Sequence, residues 1–164
     1  MPIVEIVQSS QLPAPPQAVW ERVASLEGIN HELAPWFRMS APRGTELSLD
    51  AVPLGRRWFR SWILLFGVLP FDYDDLCVER LDPGRGFLER SRMLSAKLWE
   101  HERTLEPMGE GATRLTDRVA WTPRLAPARL HRAVIAATFR HRHRRLRSHF
   151  DGRPGAAAAA AGAR

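Results

Sequence analysis

The segments GFLERSRML (residues 86–94), KLWEHERTL (97–105) and ATRLTDRVAW (112–121) decide the fold. In each, apolar and polar residues alternate with a period of two, the signature of strands with one face turned to a core. Ser95-Ala96 joins the first pair, and Pro107-Met108-Gly109-Glu110-Gly111 makes a glycine-bearing turn before the third. Upstream, Phe71 to Leu81 shows the same period and ends in the turn formers Asp82-Pro83-Gly84. Strands on such short connections form an antiparallel meander.

The alternation also sorts the side chains. Phe87, Glu89, Ser91 and Met93 share one face; so do Lys97, Trp99, His101, Arg103 and Leu105, and so do Thr113, Leu115, Asp117, Val119 and Trp121. The more apolar faces are expected to turn inward, bringing Glu89, Ser91, His101, Arg103 and Asp117 into or beside the interior. A buried charge must be paired, and guanidinium matches carboxylate as a bidentate pair, so Arg103 is expected to meet Glu89 or Asp117.

Downstream of the meander, Pro123 and Pro127 break the chain, and Ala128 to Phe150 reads as one long helix. Ile135, Phe139, Leu146 and Phe150 fall at helical spacing with His143 on the same stripe, while Arg140, Arg144, Arg145, Arg147 and Ser148 fall away from it. The apolar stripe is expected to lie on the concave face of the sheet, with His143 close to that wall and the arginines mostly solvated. Beyond it, DGRPGAAAAAAGAR is a low-complexity sequence expected to be a disordered tail over 151–164.

Upstream, Ile3 to Ser9 alternates as a strand, and the prolines of LPAPP lead into a short amphipathic helix expected to end at Gly28. Asn30 is placed to cap a second short helix through Leu33, stopped by Pro35. Trp36 to Met39 and Thr45 to Asp50 read as short strands. In GRRWFRSWILLFG (55–67) the large apolar residues fall at helical spacing, which favours a helix, although the segment is short and aromatic enough for a buried strand.

The composition is that of a folded chain rather than a disordered one: 164 residues, 45% hydrophobic and 26% charged. The net charge is +6 with Lys97 the only lysine, so the basicity is arginine. One cysteine, Cys77, excludes a disulfide framework. The opening MPIVEIVQSS has no secretory pattern and the most apolar run, Trp62 to Leu69, is too short to span a bilayer, so a cytoplasmic location is expected.

Strand, two short helices, consecutive antiparallel strands and a long final helix describe an α+β layout. With LPAPPQAVWERVASLEG, INHELAPWFRM, LLFGVLPFDYDDL, LWEHERTL and TRLTDRVAW in that order, residues 3–150 resemble the helix-grip superfamily of START domains, pollen-allergen-like proteins and polyketide cyclase/dehydrase-like proteins (SRPBCC), in particular its bacterial members. The resemblance implies one helix-grip domain over 1–150, with a curved antiparallel sheet wrapped around the last helix and a cavity for a lipid, polyketide or other small apolar molecule. It carries no catalytic set.

The expected ligand-binding residues are Glu89, Ser91, Trp99, His101, Arg103, Asp117 and His143. His101 and Asp117 are the candidates for acid–base catalysis, with the imidazole oriented by a carboxylate; the opposing reading is an ion-pair network without chemistry. Six tryptophans supply bulky walls. Asp72, Asp74 and Asp75 around Tyr73 have oxygen ligands for a cation, but the spacing is not that of an EF-hand, and a solvated acidic edge is preferred. His31-Glu32 and His101-Glu102 each begin the zinc-protease motif H-E-x-x-H, but Pro35 and Leu105 stand where the second histidine belongs. Neither a metal nor a cofactor is expected. His141, Arg142, His143, Arg144, Arg145 and Arg147 have the charge to contact phosphates, yet no aromatic residues interleave on the basic side, which weighs against nucleic acid. Three functions follow: binding of a small hydrophobic ligand, a cyclase- or dehydratase-type enzyme using the same cavity, and a basic adaptor for nucleic acid or an anionic surface. The oligomeric state is left open.

Overall fold

The computed structural model describes residues 3–44, 52–109, 111–124 and 127–152. The expected strand at 45–50 and nearly all of the expected tail lie outside these residues. The chain runs β1 (Val4–Leu12), α1 (Pro16–Val23), α2 (Leu26–Leu33), β2 (Phe37–Met39), β3 (Arg57–Leu65), β4 (Leu69–Asp82), β5 (Gly86–Met93), β6 (Ala96–Pro107), β7 (Thr113–Pro123) and α3 (Ala128–Asp151). The strands form one antiparallel sheet in the order β1-β7-β6-β5-β4-β3-β2, so the meander extends to β3 and β2 at one edge and β1 closes on β7 at the other. The helix α3 packs on β1, β7 and α2. Among the described residues no helix is long and apolar enough to cross a membrane.

The alternation places the faces as expected. Glu89, Ser91 and Met93 of β5, Trp99, His101, Arg103 and Leu105 of β6, and Leu115, Asp117, Val119 and Trp121 of β7 are all buried. Lys97, grouped with that inner face, is exposed, because an irregularity between Ala96 and Leu98 shifts the register there.

The segment 55–67 is a strand rather than a helix. Its inner face, Phe59, Ser61 and Ile63, borders a cavity, while outer Trp62 packs edge-on against Tyr73 and outer Arg60 lies over the Tyr73 ring at 3.9 Å. Apolar residues on both faces imitate the spacing of a helical stripe. Pairing with β4 supplies the backbone partners that a helix would have supplied internally.

The first helix ends at Val23, before Gly28. Ser25 starts a new helix by accepting the Gly28 N–H at 3.0 Å. Gly28 lies inside α2 because a Cβ there would fall 1.7 Å from the Arg22 carbonyl oxygen. Asn30 is thereby freed from capping, and its side chain brackets Met39: Oδ1 accepts the backbone N–H at 2.7 Å and Nδ2 donates to the carbonyl at 3.0 Å.

Core packing falls into two apolar clusters. One holds Leu12, Val19, Trp20, Val23, Leu105, Leu115, Leu146 and Phe150; the other holds Met93, Ala96, Trp99, Val119, Trp121 and Phe139. Along β6, β7 and α3 alike, charged residues separate them. Gly86 opens β5 at φ +150° with its Cβ position 2.0 Å from the Arg103 carbonyl oxygen, so the strand carrying Arg103 is seated directly on it. Gly86→Ala is expected to lower the unfolding free energy in a denaturant titration by at least about 2 kcal/mol.

Candidate functional site

Three strands and two helices converge on one buried cluster. Arg103 of β6 has no exposed side-chain surface. Its Nε donates to Asp117 Oδ1 at 2.7 Å and its Nη2 to Asp117 Oδ2 at 2.8 Å. On the other side, Nη1 and Nη2 donate to Glu32 Oε1 and Oε2, each at 3.0 Å. Glu32 comes from α2 and also accepts Arg142 Nε of α3 at 2.8 Å. Asp117 also accepts from His101 Nε2 at 2.8 Å and His143 Nε2 at 2.9 Å. With its Nε2 protonated, His143 takes the Ser10 hydroxyl at Nδ1, 2.8 Å away.

Two carboxylates and two guanidinium groups balance in charge. Burial opposes ionisation of Glu32, but Arg103 and Arg142 outweigh it and hold its carboxyl below the usual range. Burial opposes ionisation of Asp117 too, and Arg103 and His101 hold that carboxyl further below. Arg103, also desolvated, is locked in its charged form by Asp117 and Glu32.

Beside this cluster lies a cavity of about 490 Å³ between the sheet, α2 and α3. Its walls are mostly apolar, with Trp20, Trp58, Phe59, Phe87, Trp99 and Phe139 the largest side chains. Phe71, Leu130 and Val134 border the cavity and are also exposed to solvent, placing a mouth between the start of β4 and the first turns of α3. Of the sequence-predicted residues, Glu89, Trp99 and His101 border the cavity. Ser91, Arg103, Asp117 and His143 do not. Ser91 is turned to Glu89 and the Cys77 backbone, and the other three are drawn behind the wall by the charge cluster.

His101 is the link between cluster and cavity. Phe87 and Phe139 hold its ring edge-on, each with centroids 5.1 Å away. Nε2–H is given to Asp117, and Nδ1 lies 3.9 Å from Glu89 Oε2; in the neutral ring Nδ1 has the lone pair. A carboxylate-oriented imidazole with its second nitrogen on the cavity side is the geometry of a general base.

The expected pairing of Arg103 with Glu89 does not occur; Glu32 takes that place. The acidic run is not a solvated edge either. Asp72 and Asp74 point inward and are buried, while Asp75 pairs outward with Arg60 at 2.8 and 2.9 Å. Asp72 is saturated by the backbone N–H groups of Tyr73, Leu94 and Ser95 and by the Ser95 hydroxyl. Asp74 Oδ1 is buried without a hydrogen-bond partner. Burial, followed by the Glu89 carboxyl beside it, pushes the Asp74 carboxyl well above the usual range. Among the described residues no group of three or more His, Cys, Asp or Glu side chains is placed to hold a metal ion.

The basic stretch of α3 is largely directed inward. His141 donates to the Ala34 carbonyl at 2.7 Å, Arg145 donates to the His31 carbonyl at 3.1 Å, and Arg142 and His143 belong to the cluster. Arg144 and Arg147 remain exposed, so the expectation of mostly solvated arginines fails at Arg142.

The chain belongs to the family described as a domain of unknown function, DUF8410, whose model matches residues 10–150. No curated protein matches it. Among solved structures it is similar to a Chromobacterium violaceum protein, with a TM-score of 0.69 at 19% identity over 91% of this chain and 99% of the other. The ZhuI aromatase/cyclase of Streptomyces sp. R1128 has a TM-score of 0.68 at 13% identity over 91% and 94% of the two chains. A START superfamily protein of Mycobacterium smegmatis has 0.66 at 11% over 90% and 97%. These likenesses establish the helix-grip fold.

Removing one member of a buried ion pair strands the other, at a cost of roughly 3–5 kcal/mol; Asp117→Asn is expected to lose that much at neutral pH. Because folding depresses the Glu32 and Asp117 carboxyls, their stabilisation is complete above the usual carboxylate range and is lost as pH falls through the depressed values. Urea titrations from about pH 5 downward should show wild-type stability falling, with a shallower slope in Asp117→Asn.

Proposed function

We propose that this chain binds a small hydrophobic molecule in the cavity between its sheet and α3. The observation that supports it is the cavity itself: about 490 Å³, walled by aromatic and aliphatic side chains, and opening through Phe71, Leu130 and Val134. Sites for small molecules are concave, mostly apolar and carry a few placed polar groups, which here are Glu89, His101 and the neighbouring acids. The likeness to proteins titled START superfamily protein and aromatase/cyclase fits the same reading.

Native mass spectrometry of freshly purified protein is expected to show a fraction carrying an apolar passenger that leaves on collisional activation. The neutral dye Nile red is expected to bind saturably at one site. Val134→Trp, which narrows the mouth from an exposed position on α3, should weaken the dye about tenfold without a change in melting temperature. A dye that does not bind, or that ignores the mouth substitution, would sink the proposal.

One observation favours a second reading, catalysis of a cyclisation or dehydration. His101 has its Nε2 fixed by Asp117 and its Nδ1 on the cavity side. On that reading the imidazole takes a proton from a bound substrate and Asp117 stabilises the imidazolium. His101→Ala should then lower turnover of a β-keto or β-hydroxy substrate by about 10²–10⁴-fold while leaving Nile red binding intact. Unchanged turnover in that variant would leave binding as the function.

A further inference from the structure

The polar groups that border the cavity are mostly committed elsewhere. Asp72 is saturated by three backbone N–H groups and the Ser95 hydroxyl. The Ser61 hydroxyl donates to the Ser40 carbonyl, Thr138 to the Val134 carbonyl and Arg142 to Glu32. His131 of α3 is the other imidazole of the lining, packed against Trp121, and its Nδ1 is buried without a hydrogen-bond partner.

On adjacent strands β4, β5 and β6 lie Asp74, Glu89 and His101, three polar side chains of the lining. Asp74 Oδ1 is buried without a donor, in a side chain that is 4% exposed. Glu89 accepts the Ser91 hydroxyl at Oε1 and leaves Oε2 3.9 Å from His101 Nδ1. In the neutral ring with Nε2–H given to Asp117, that nitrogen has the lone pair. Asp74 of β4 and Glu89 of β5 border the same cavity from paired strands. The Ser91 hydroxyl is the donor at Glu89 Oε1, whereas Asp74 Oδ1 is met by none, and a buried acceptor without a donor is costly.

We infer that Asp74, Glu89 and His101 form a recognition site for a protonated amine, so that the molecule held in the cavity is a lipophilic amine. This rests on the cavity being a ligand site. An ammonium group carries up to three donors and no acceptor, the complement of this wall. It also brings the positive charge that lets the adjoining carboxyls ionise together, which a hydroxyl does not. Phe87 and Trp99 border the same end of the cavity and present ring surface to a cation. The remaining walls are apolar and suit a hydrocarbon or aryl body.

The test uses the full chain and three probes of one length, decylamine, decanol and decanoate, each titrated calorimetrically below its aggregation concentration at neutral pH. Decylamine is expected to bind at least about tenfold more tightly than decanol, the usual worth of a hydrogen bond to a charged group, and decanoate more weakly than both. Asp74→Asn and Glu89→Gln should each remove most of the amine preference, read as the ratio of decylamine to decanol affinity in the same variant. The comparison of probes on the unaltered protein stands even where a variant folds poorly. Decanol or decanoate binding as tightly as decylamine would overturn the amine assignment and leave the ligand cavity standing. Failure of all three to bind would overturn both.

Discussion

The Arg103 guanidinium is the constraint around which the core is arranged. It is fully buried, and water cannot reach it, so its N–H groups must be met by protein acceptors or the charge is untenable. Asp117 meets it from the neighbouring strand and Glu32 from the second helix. Those carboxylates then need partners for their remaining lone pairs, and Arg142, His143 and His101 supply them. Each partner fixes an element: β6 to β7, β7 to α3, α3 to α2, and, through Ser10, α3 to β1. A buried network of this kind adds little net stability over an apolar core of equal volume, but breaking any part of it is costly. Its effect is to permit one register. If β7 slid by one residue, Asp117 would turn outward and leave Arg103 without its bidentate partner.

Period-two alternation made the sheet legible. The residues between 86 and 121 that read as inward are inward, apart from Lys97 at an irregularity. Glu32 was hidden because it sits on a helix of eight residues, 71 positions before Arg103, within a motif that read only as a failed zinc site. Pairing across that distance leaves no local signal. Arg142 did leave one: it lies three residues after Phe139 and four before Leu146, on the buried stripe itself, but its charge suggested the opposite face. The acidic run followed the strand rule that governs its neighbours. Asp72 and Asp74 go in while Tyr73 and Asp75 go out, so a cluster that is dense in sequence is divided between two faces in space. At 55–67 the pattern itself was degenerate, because a strand with aromatic residues on both faces matches a helical stripe equally well.

The charge cluster and the cavity share His101, and this gives the site its polarity. On one side the ring is bonded to Asp117; on the other it lies near Glu89, and Asp74 of the same cavity has an oxygen without a hydrogen-bond partner. The apolar wall and the polar end are therefore separate parts of one pocket.

The two halves of α3 stand in different mechanical situations. From Phe139 onward it is anchored by Arg142, His143, Leu146 and Phe150, all buried against the rest of the fold. Before Phe139, Leu130 and Val134 face solvent at the cavity mouth. The helix is thus firmly fixed at its far end and more lightly held in its first turns, where His131 lies against Trp121 and Ile135 against the core. Regions with fewer buried contacts open at lower free energy, so the first turns of α3 are expected to move more readily than its anchored end. Substitutions at the tip can retune entry without disturbing the foundation on which the fold rests.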